Sequence, residues 1–209
     1  MNEEVLLETA LDRYRLSDRH RISIRGYLDK LYLRDEATWR HSIRVGDLAS
    51  RIGDFFCDCS GRSLLWAGLL HDIGKILVDP DLFLKRERFT DDDYRRMEPH
   101  VEYGWRMLRG IHEWTAHVIV RHHRYGARPY PARLPPMTLP GRTEERIDAL
   151  ARRLALADYY DALMTRDNAK FGKEPLSPVA RREQYLRGNA DQEPLILRLE
   201  AAGILQFSA

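Results

Sequence analysis

Residues 63–75 read SLLWAGLLHDIGK. From Leu64 to Leu70 the segment is apolar almost all round, and a helix hydrophobic on every side is a buried helix. It runs into His71 and Asp72, two residues of metal-ligand type, and then Gly74 and Lys75. An ionised carboxylate at the end of a wholly apolar helix is costly unless it is paired or metal-bound. The plainer explanation is a helix C-terminus emerging into solvent, with Gly74 as its stop signal.

Outward from this segment the pattern stays helical. Residues 3–15 and about 18–33 read as two amphipathic helices. Between Glu36 and about Phe56, the apolar residues Ala37, Val45, Leu48, Ile52 and Phe55 recur near helical spacing, and His41 falls on the same stripe. Gly61 breaks the chain before the buried helix, which is predicted over Ser63 to Ile73. Thr90 with Asp93 forms a capping-box signature opening a helix. Pro99 and Gly104 interrupt the helical pattern beyond it and predict a bend near His100. Glu113 to His123 reads as a short helix, and residues 124–143, with five prolines and two glycines, as loop. Arg146 to about Thr165 is a long helix with Ile147, Leu150, Leu154 and Ala157 on one face, and helical segments come after it near 178–187 and 194–202. No strand, repeat or linker to a second domain is recognisable, so the fold class is all-α.

At 209 residues the chain can build one domain with a real core. The 44% apolar and 32% charged content is that of a soluble globular protein. Thirty-four basic and 32 acidic residues leave a net charge of +2, which argues against bulk nucleic-acid binding. The arginines Arg13, Arg15, Arg19, Arg21 and Arg25 read as a solvated helix face rather than a phosphate-binding strip. The N-terminus, MNEEVLLETALDRY, is acidic and is no signal peptide. No apolar run reaches the roughly 18 residues a spanning helix needs, so no membrane partner is expected and the cytoplasm is the expected compartment. Cys57 and Cys59 make neither a disulfide framework nor a zinc site and are expected as reduced thiols.

Seven residues of metal-ligand type follow one another in the order His41, His71, Asp72, His100, His122, His123 and Asp158. Asp158 lies four residues after Leu154 and so, like His41, projects from an apolar stripe. One ion held by His41, His71, Asp72 and Asp158 satisfies four core-facing polar groups at once. His100, His122 and His123 supply three imidazoles for a second ion, and Asp72 can bridge through its other oxygen. Each has a blander explanation: His41 as a satisfied core residue, His100 as a residue at a bend, His122-His123 as a helix end favoured by the dipole. His20, His112 and His117 are assigned to the surface or to ordinary hydrogen bonding. Mixed nitrogen and oxygen ligands suit iron, manganese, zinc or nickel. Two adjacent ions can bridge a hydroxide nucleophile and clamp a phosphodiester. Lys75 lies three residues after Asp72, where a cation can neutralise developing phosphate charge, or simply end a helix at the surface.

The order His41, His71-Asp72, Asp158 resembles the HD superfamily of metal-dependent phosphohydrolases, and the added His100 and His122-His123 resemble its HD-GYP branch. The resemblance covers residues 35–205. It is strongest in HSIRV (His41 to Val45), LLHDIGKI (Leu69 to Ile76), HVEYG (His100 to Gly104), RHH (Arg121 to His123) and LALADYYDAL (Leu154 to Leu163). It implies an N-terminal helical extension at 1–34 and a phosphohydrolase domain at 35–209, a helical bundle with a dinuclear metal site in its core. It implies that the seven residues are the metal ligands, that Lys75 contacts phosphate, and that iron or manganese is held. It further implies hydrolysis of cyclic di-GMP to the linear dinucleotide or to GMP, with Asp72 and Lys75 as catalytic residues.

Three departures qualify it. Family members with a third metal carry a glutamate four residues before the first histidine, where Ala37 stands, so two divalent ions are expected. The loop usually reading HHExxDGxGYP here reads HHRYGARPYP, one residue shorter, with Pro129 for the glycine before Tyr130-Pro131. Proline fixes φ and cannot take the backbone angles glycine allows. Arg128, the only charge in Gly126–Pro131, is read as a substrate contact, its blander explanation being a solvated loop arginine. MTRDNAKFG lacks the usual arginine–proline–aromatic pattern, and Arg166 or Lys170 is expected to substitute.

The expected activity is hydrolysis of a phosphodiester in a cyclic dinucleotide. The competing possibilities are a nucleotide phosphomonoesterase of the same superfamily and a catalytically weak, metal-bound signalling module. Residues 1–34 either pack on the catalytic core or form a homodimer interface, and regulation is expected from a separate partner chain.

Overall fold

The computed structural model describes residues 2–85, 87–139, 143–165 and 176–207. Among the described residues the regular structure is helical and contains no strand. The first four helices are α1 (Glu3–Arg13), α2 (Asp18–Arg34), α3 (Glu36–Phe55) and α4 (Gly61–Leu70). A 3-10 turn over Ile73–Leu77 leads to α5 (Asp81–Leu84), α6 (Asp91–Met97), α7 (His100–Leu108) and α8 (Glu113–Ile119). A second 3-10 turn, His122–Tyr125, precedes α9 (Thr143–Thr165), and α10 (Pro178–Gly188) and α11 (Glu193–Ala201) close the described chain. No helix among the described residues is long and apolar enough to cross a membrane.

The antiparallel pair α3 and α4 forms the centre, with α9 against α3, α8 against α4, and α1 and α2 on the outside of α3. Helix α3 begins where the Asp35 side chain accepts the Thr38 amide proton at 2.8 Å, satisfying an amide that the helix itself cannot. It buries Ile43, Val45, Leu48, Ala49 and Ile52. Helix α4 is buried on all sides, as its composition predicts; Leu64, Leu65, Leu69 and Leu70 each gain about 1.5–3 kcal/mol of transfer free energy there. Glycines let the two backbones touch: a Cβ on Gly68 would lie 2.6 Å from the Gly46 Cα, and one on Gly46 would lie 2.7 Å from the Leu69 Cδ2.

The N-terminal helices share this core through Leu7, Leu11, Ile24, Leu28 and Leu31. Three of their arginines are matched by carboxylates: Arg13 meets Asp47 at 2.9 Å, while Arg21 meets Glu8 and Asp12 and Arg25 meets Glu8.

Several boundaries depart from the periodicity. Helix α4 stops at Leu70, and the chain tightens into the 3-10 turn after Asp72 (φ −99°, ψ 8°). The bend near His100 falls at Glu98–Pro99, so His100 opens α7. Gly104 does not break α7. It sits mid-helix where α7 passes Gly74, and a Cβ there would be tight only against the Ile119 Cδ1, at 3.1 Å. The helix expected over 113–123 ends at Ile119, and α9 starts three residues early. The short α5 has no recognisable period. His112 is half-buried in the structural role expected for it, its Nε2 3.4 Å from the Ser23 hydroxyl and its ring 4.5 Å from that of Trp66, which His20 meets edge-on at 5.6 Å.

Candidate metal centre

All seven ligand-type residues meet at one place. His41 comes from α3, His71 and Asp72 from the end of α4, His100 from the first position of α7, His122 and His123 from the second 3-10 turn, and Asp158 from α9. Six are buried and His123 is half-buried.

Local backbone geometry aims three of the imidazoles. The Nδ1–H of His71 donates to the Gly68 carbonyl at 2.7 Å, that of His100 to Met97 at 2.8 Å, and that of His122 to Ile119 at 2.5 Å. Each acceptor is three residues upstream, so one device, a carbonyl left open at a helix end or bend, serves all three. With Nδ1 protonated, each Nε2 carries a lone pair into the centre. None of these Nε2 atoms has a hydrogen-bond partner, and neither has Asp72 Oδ1.

Asp72 stands between the two sets of histidines. Its Oδ2 lies 3.3 Å from His71 Nε2 and 3.8 Å from His41 Nε2, and its Oδ1 lies 3.3 Å from His100 Nε2. Asp158 Oδ1 is 3.0 Å from His41 Nε2 and 3.8 Å from His71 Nε2. Buried acceptors that face one another without a proton between them each cost about 1–3 kcal/mol. A cation removes that cost. Three overlapping groups can hold one: His41, His71 and Asp72; His71, His122 and Asp158; His100, His122 and His123, with ligand atoms within 4.8 Å in each. The donor set therefore fits metal.

Electrostatics favours the metal-binding protonation state at Asp72, Asp158, His122 and His123. At His71, Asp72 and Asp158 hold the imidazole up against burial, so a proton there must leave when an ion binds. Burial alone would raise the Asp72 carboxyl, but His71 and Lys75 outweigh it and hold it well below the usual range. Asp158 behaves likewise, with the His41 hydrogen bond opposing burial. Burial pushes His122 down to about 3, helped by His71, and pushes His123 well down, helped by His122. Metal requires ionised carboxylates and neutral imidazoles, a state that burial favours at His122 and His123.

Lys75 sits at the rim of this cluster. The 3-10 geometry repeats every three residues, which places its Nζ 2.6 Å from Asp72 Oδ2. Gly74 lies between them against α7, where a Cβ would overlap the His100 carbonyl oxygen and approach the Gly104 nitrogen to 2.5 Å. Arg128 is 66% exposed and turned towards α6, where it meets Asp91 at 2.8 Å and covers the Tyr94 ring. Tyr130 stacks on the His123 imidazole at 4.4 Å. Arg166 and Lys170 lie outside the described residues.

One contact has no counterpart among the sequence motifs. His41 Nδ1 donates to Asp161 Oδ2 at 2.7 Å, and Asp161 is gripped by Arg44. The signal was present as spacing: Arg44 lies three residues after His41 and Asp161 three after Asp158, so each shares a helix face with a ligand.

The family model for the HD domain matches residues 38–163, which is more than half of the chain and includes all seven ligand-type residues from His41 to Asp158. The chain belongs to the HD domain family. This HD domain is similar to a cyclic di-GMP phosphodiesterase of Pseudomonas aeruginosa, 30% identical over 188 residues, covering 87% of this chain and 43% of the relative. A cyclic di-GMP phosphodiesterase of Thermotoga maritima is 32% identical over 162 residues, covering 74% of this chain and 42% of the relative. A cyclic di-GMP phosphodiesterase response regulator of Xanthomonas campestris is 33% identical over 109 residues, covering 50% of the chain and 27% of the relative. The HD domain chain thus spans less than half the length of these relatives.

Proposed function

We propose that this HD domain is a metal-dependent phosphodiesterase of the HD-GYP type, acting on a cyclic dinucleotide such as cyclic di-GMP. The observation that carries the proposal is a buried carboxylate, Asp72, whose two oxygens face the partnerless Nε2 atoms of two different histidines, His71 and His100, with that of His122 in the same cluster. The names of the similar proteins supply the substrate class. His41, His71, Asp72 and Asp158 would hold one ion and His100, His122 and His123 a second, with Asp72 shared. Iron or manganese is the proposed metal, the ligand set also admitting zinc and nickel. Two bound divalent ions supply Lewis acidity at the phosphoryl oxygens and a nucleophile from water at neutral pH.

Lys75 donates one proton to Asp72 and has two left for a phosphate oxygen at the rim. Arg128 is proposed as an outer phosphate contact, since an exposed ion pair such as its link to Asp91 is weak in water and yields to a better anion. Tyr130, fixed on His123, presents a ring edge near the same rim on which a base can pack.

Protein purified anaerobically without chelator is expected to contain about two ions per chain, counted by elemental analysis. It is expected to cleave cyclic di-GMP in a panel that also holds cyclic di-AMP, the mixed dinucleotide and nucleoside monophosphates. One ion per chain, unaffected by His122→Ala and His123→Ala, sinks the dinuclear assignment. Turnover of the monophosphates alone would move the assignment to a phosphomonoesterase, for which the shortened HHRYGARPYP loop is the supporting feature. No turnover of the panel by metal-loaded protein would leave a binding module.

Lys75→Ala is expected to lower kcat by about 10²-fold, the scale of losing one charge-stabilising donor. Metal content should not fall, because the variant removes a cation 2.6 Å from a ligand carboxylate. Wild-type turnover on every substrate would return Lys75 to a structural role.

A further inference from the structure

We propose that Asp161 is a positioning residue for His41 and makes the His41 half of the centre the tighter of two metal sites; this rests on the metal-centre assignment made under the proposed function. The two halves are built differently. His71, His100 and His122 are each aimed by a neutral backbone carbonyl. His41 is aimed by a buried carboxylate 120 residues away, at 2.7 Å. A carboxylate behind an imidazole fixes its tautomer and raises the basicity of the other nitrogen, which strengthens that nitrogen as a ligand. His41 Nε2 faces Asp158 and Asp72, so the half that receives this help also holds both ligating carboxylates. In the His100, His122 and His123 half all three grouped ligands are imidazoles, and the carboxylate oxygen nearest His100 is Oδ1 of the shared Asp72.

The surroundings of Asp161 keep it behind His41 rather than in the centre. Arg44 grips both oxygens, Nε to Oδ1 at 2.7 Å and Nη2 to Oδ2 at 3.0 Å, in the fork geometry of a bidentate pair. The Thr165 hydroxyl donates to Oδ2 at 3.2 Å. Arg44 is itself held from α1, its Nη1 reaching Glu3 Oε1 at 3.0 Å. The Arg44 fork supplies the opposite charge beside the buried carboxylate, and a neutral side chain at that position would leave the fork without this partner.

The test is metal binding by the full chain, which needs no substrate. Metal-free wild type is titrated with Mn²⁺ and with Co²⁺ against a chromophoric chelator, and the visible Co²⁺ spectrum is recorded at each step. Two binding steps are expected. Asp161→Ala should weaken the tighter step by roughly 10–100-fold, the usual cost of losing an outer carboxylate, and shift the spectrum of the first Co²⁺ bound. Asp161→Asn keeps an acceptor for His41 but removes the charge, so it should fall between alanine and wild type and covers the case in which alanine does not fold. Unchanged affinity and spectrum in both variants would overturn the proposal. Equal weakening of both steps without a spectral shift would also overturn it, since that is the mark of a general structural loss. Wild type that binds no metal would instead refute the metal-centre assignment itself.

Discussion

Replacing Asp72 by alanine should strip metal from both halves of the centre and abolish phosphodiester hydrolysis. The carboxylate is buried, and its two oxygens lie toward different histidines, Oδ2 toward His71 and His41 and Oδ1 toward His100. Asp158 already serves the His41 and His71 side of the cluster, and Asp161 is locked to Arg44. Turnover should fall much further than the roughly 100-fold typical of an outer-shell partner, because a ligand of both ions is lost. Elemental analysis and turnover of Asp72→Ala, with circular dichroism to verify the helices, measure this. A folded variant that keeps two ions would show that Asp72 bridges nothing.

The second large effect is expected from a residue with no functional atoms. Gly74→Ala places a methyl group on the His100 carbonyl, 2.5 Å from the Gly104 nitrogen and 2.9 Å from the His100 carbonyl carbon. All three are backbone atoms and cannot rotate aside. Overpacking of this kind costs about 1–3 kcal/mol, and each kcal/mol lowers the melting temperature of a chain this size by about 2–4 °C. The functional loss should be larger. Relief requires α7 to move, and α7 carries His100 away from Asp72. A displacement of about 1 Å can cost on the order of 100-fold in rate. The ion between His41, His71, Asp72 and Asp158 should remain while the second is weakened. Wild-type melting and two retained ions in Gly74→Ala would refute the coupling between this glycine and His100.

Most of the centre was readable from residue types because burial of a polar group demands an explanation. His41 and Asp158 announce themselves as polar residues on apolar stripes, and His71-Asp72 as a polar end on an apolar helix. The all-α class came from the same periodicity. What could not be read depends on partners distant in the chain. Asp161 looks like any acidic helix residue until α9 lies against α3 and His41 needs something behind it. Gly104 reads as a breaker because sequence shows its cost and not the contact with Gly74 that repays it. Arg128 reads as a lone charge because Asp91, its partner, sits 37 residues away on α6. The shift of His71-Asp72 from helix to turn is of another kind: the apolar run extends through Ile73, but Asp72 takes a bridge-region conformation that begins the tighter 3-10 winding.

The glycine contact between α3 and α4 bears on how this chain can change over evolution. Gly46 follows His41 by five residues and Gly68 precedes His71 by three, so main chain touching main chain fixes the separation of two ligand-bearing segments. Leucines and isoleucines around the crossing can be exchanged for one another, and repacking absorbs the difference. An exchange at Gly68 is not absorbed that way, since its side chain would meet the Gly46 and Val45 main chain, whereas one at Gly46 would press mainly on the Leu69 side chain. Drift in the hydrophobic interior and constancy of the ligand spacing are thereby uncoupled, and the inheritance of the centre depends on a crossing point that contributes no side chain to it.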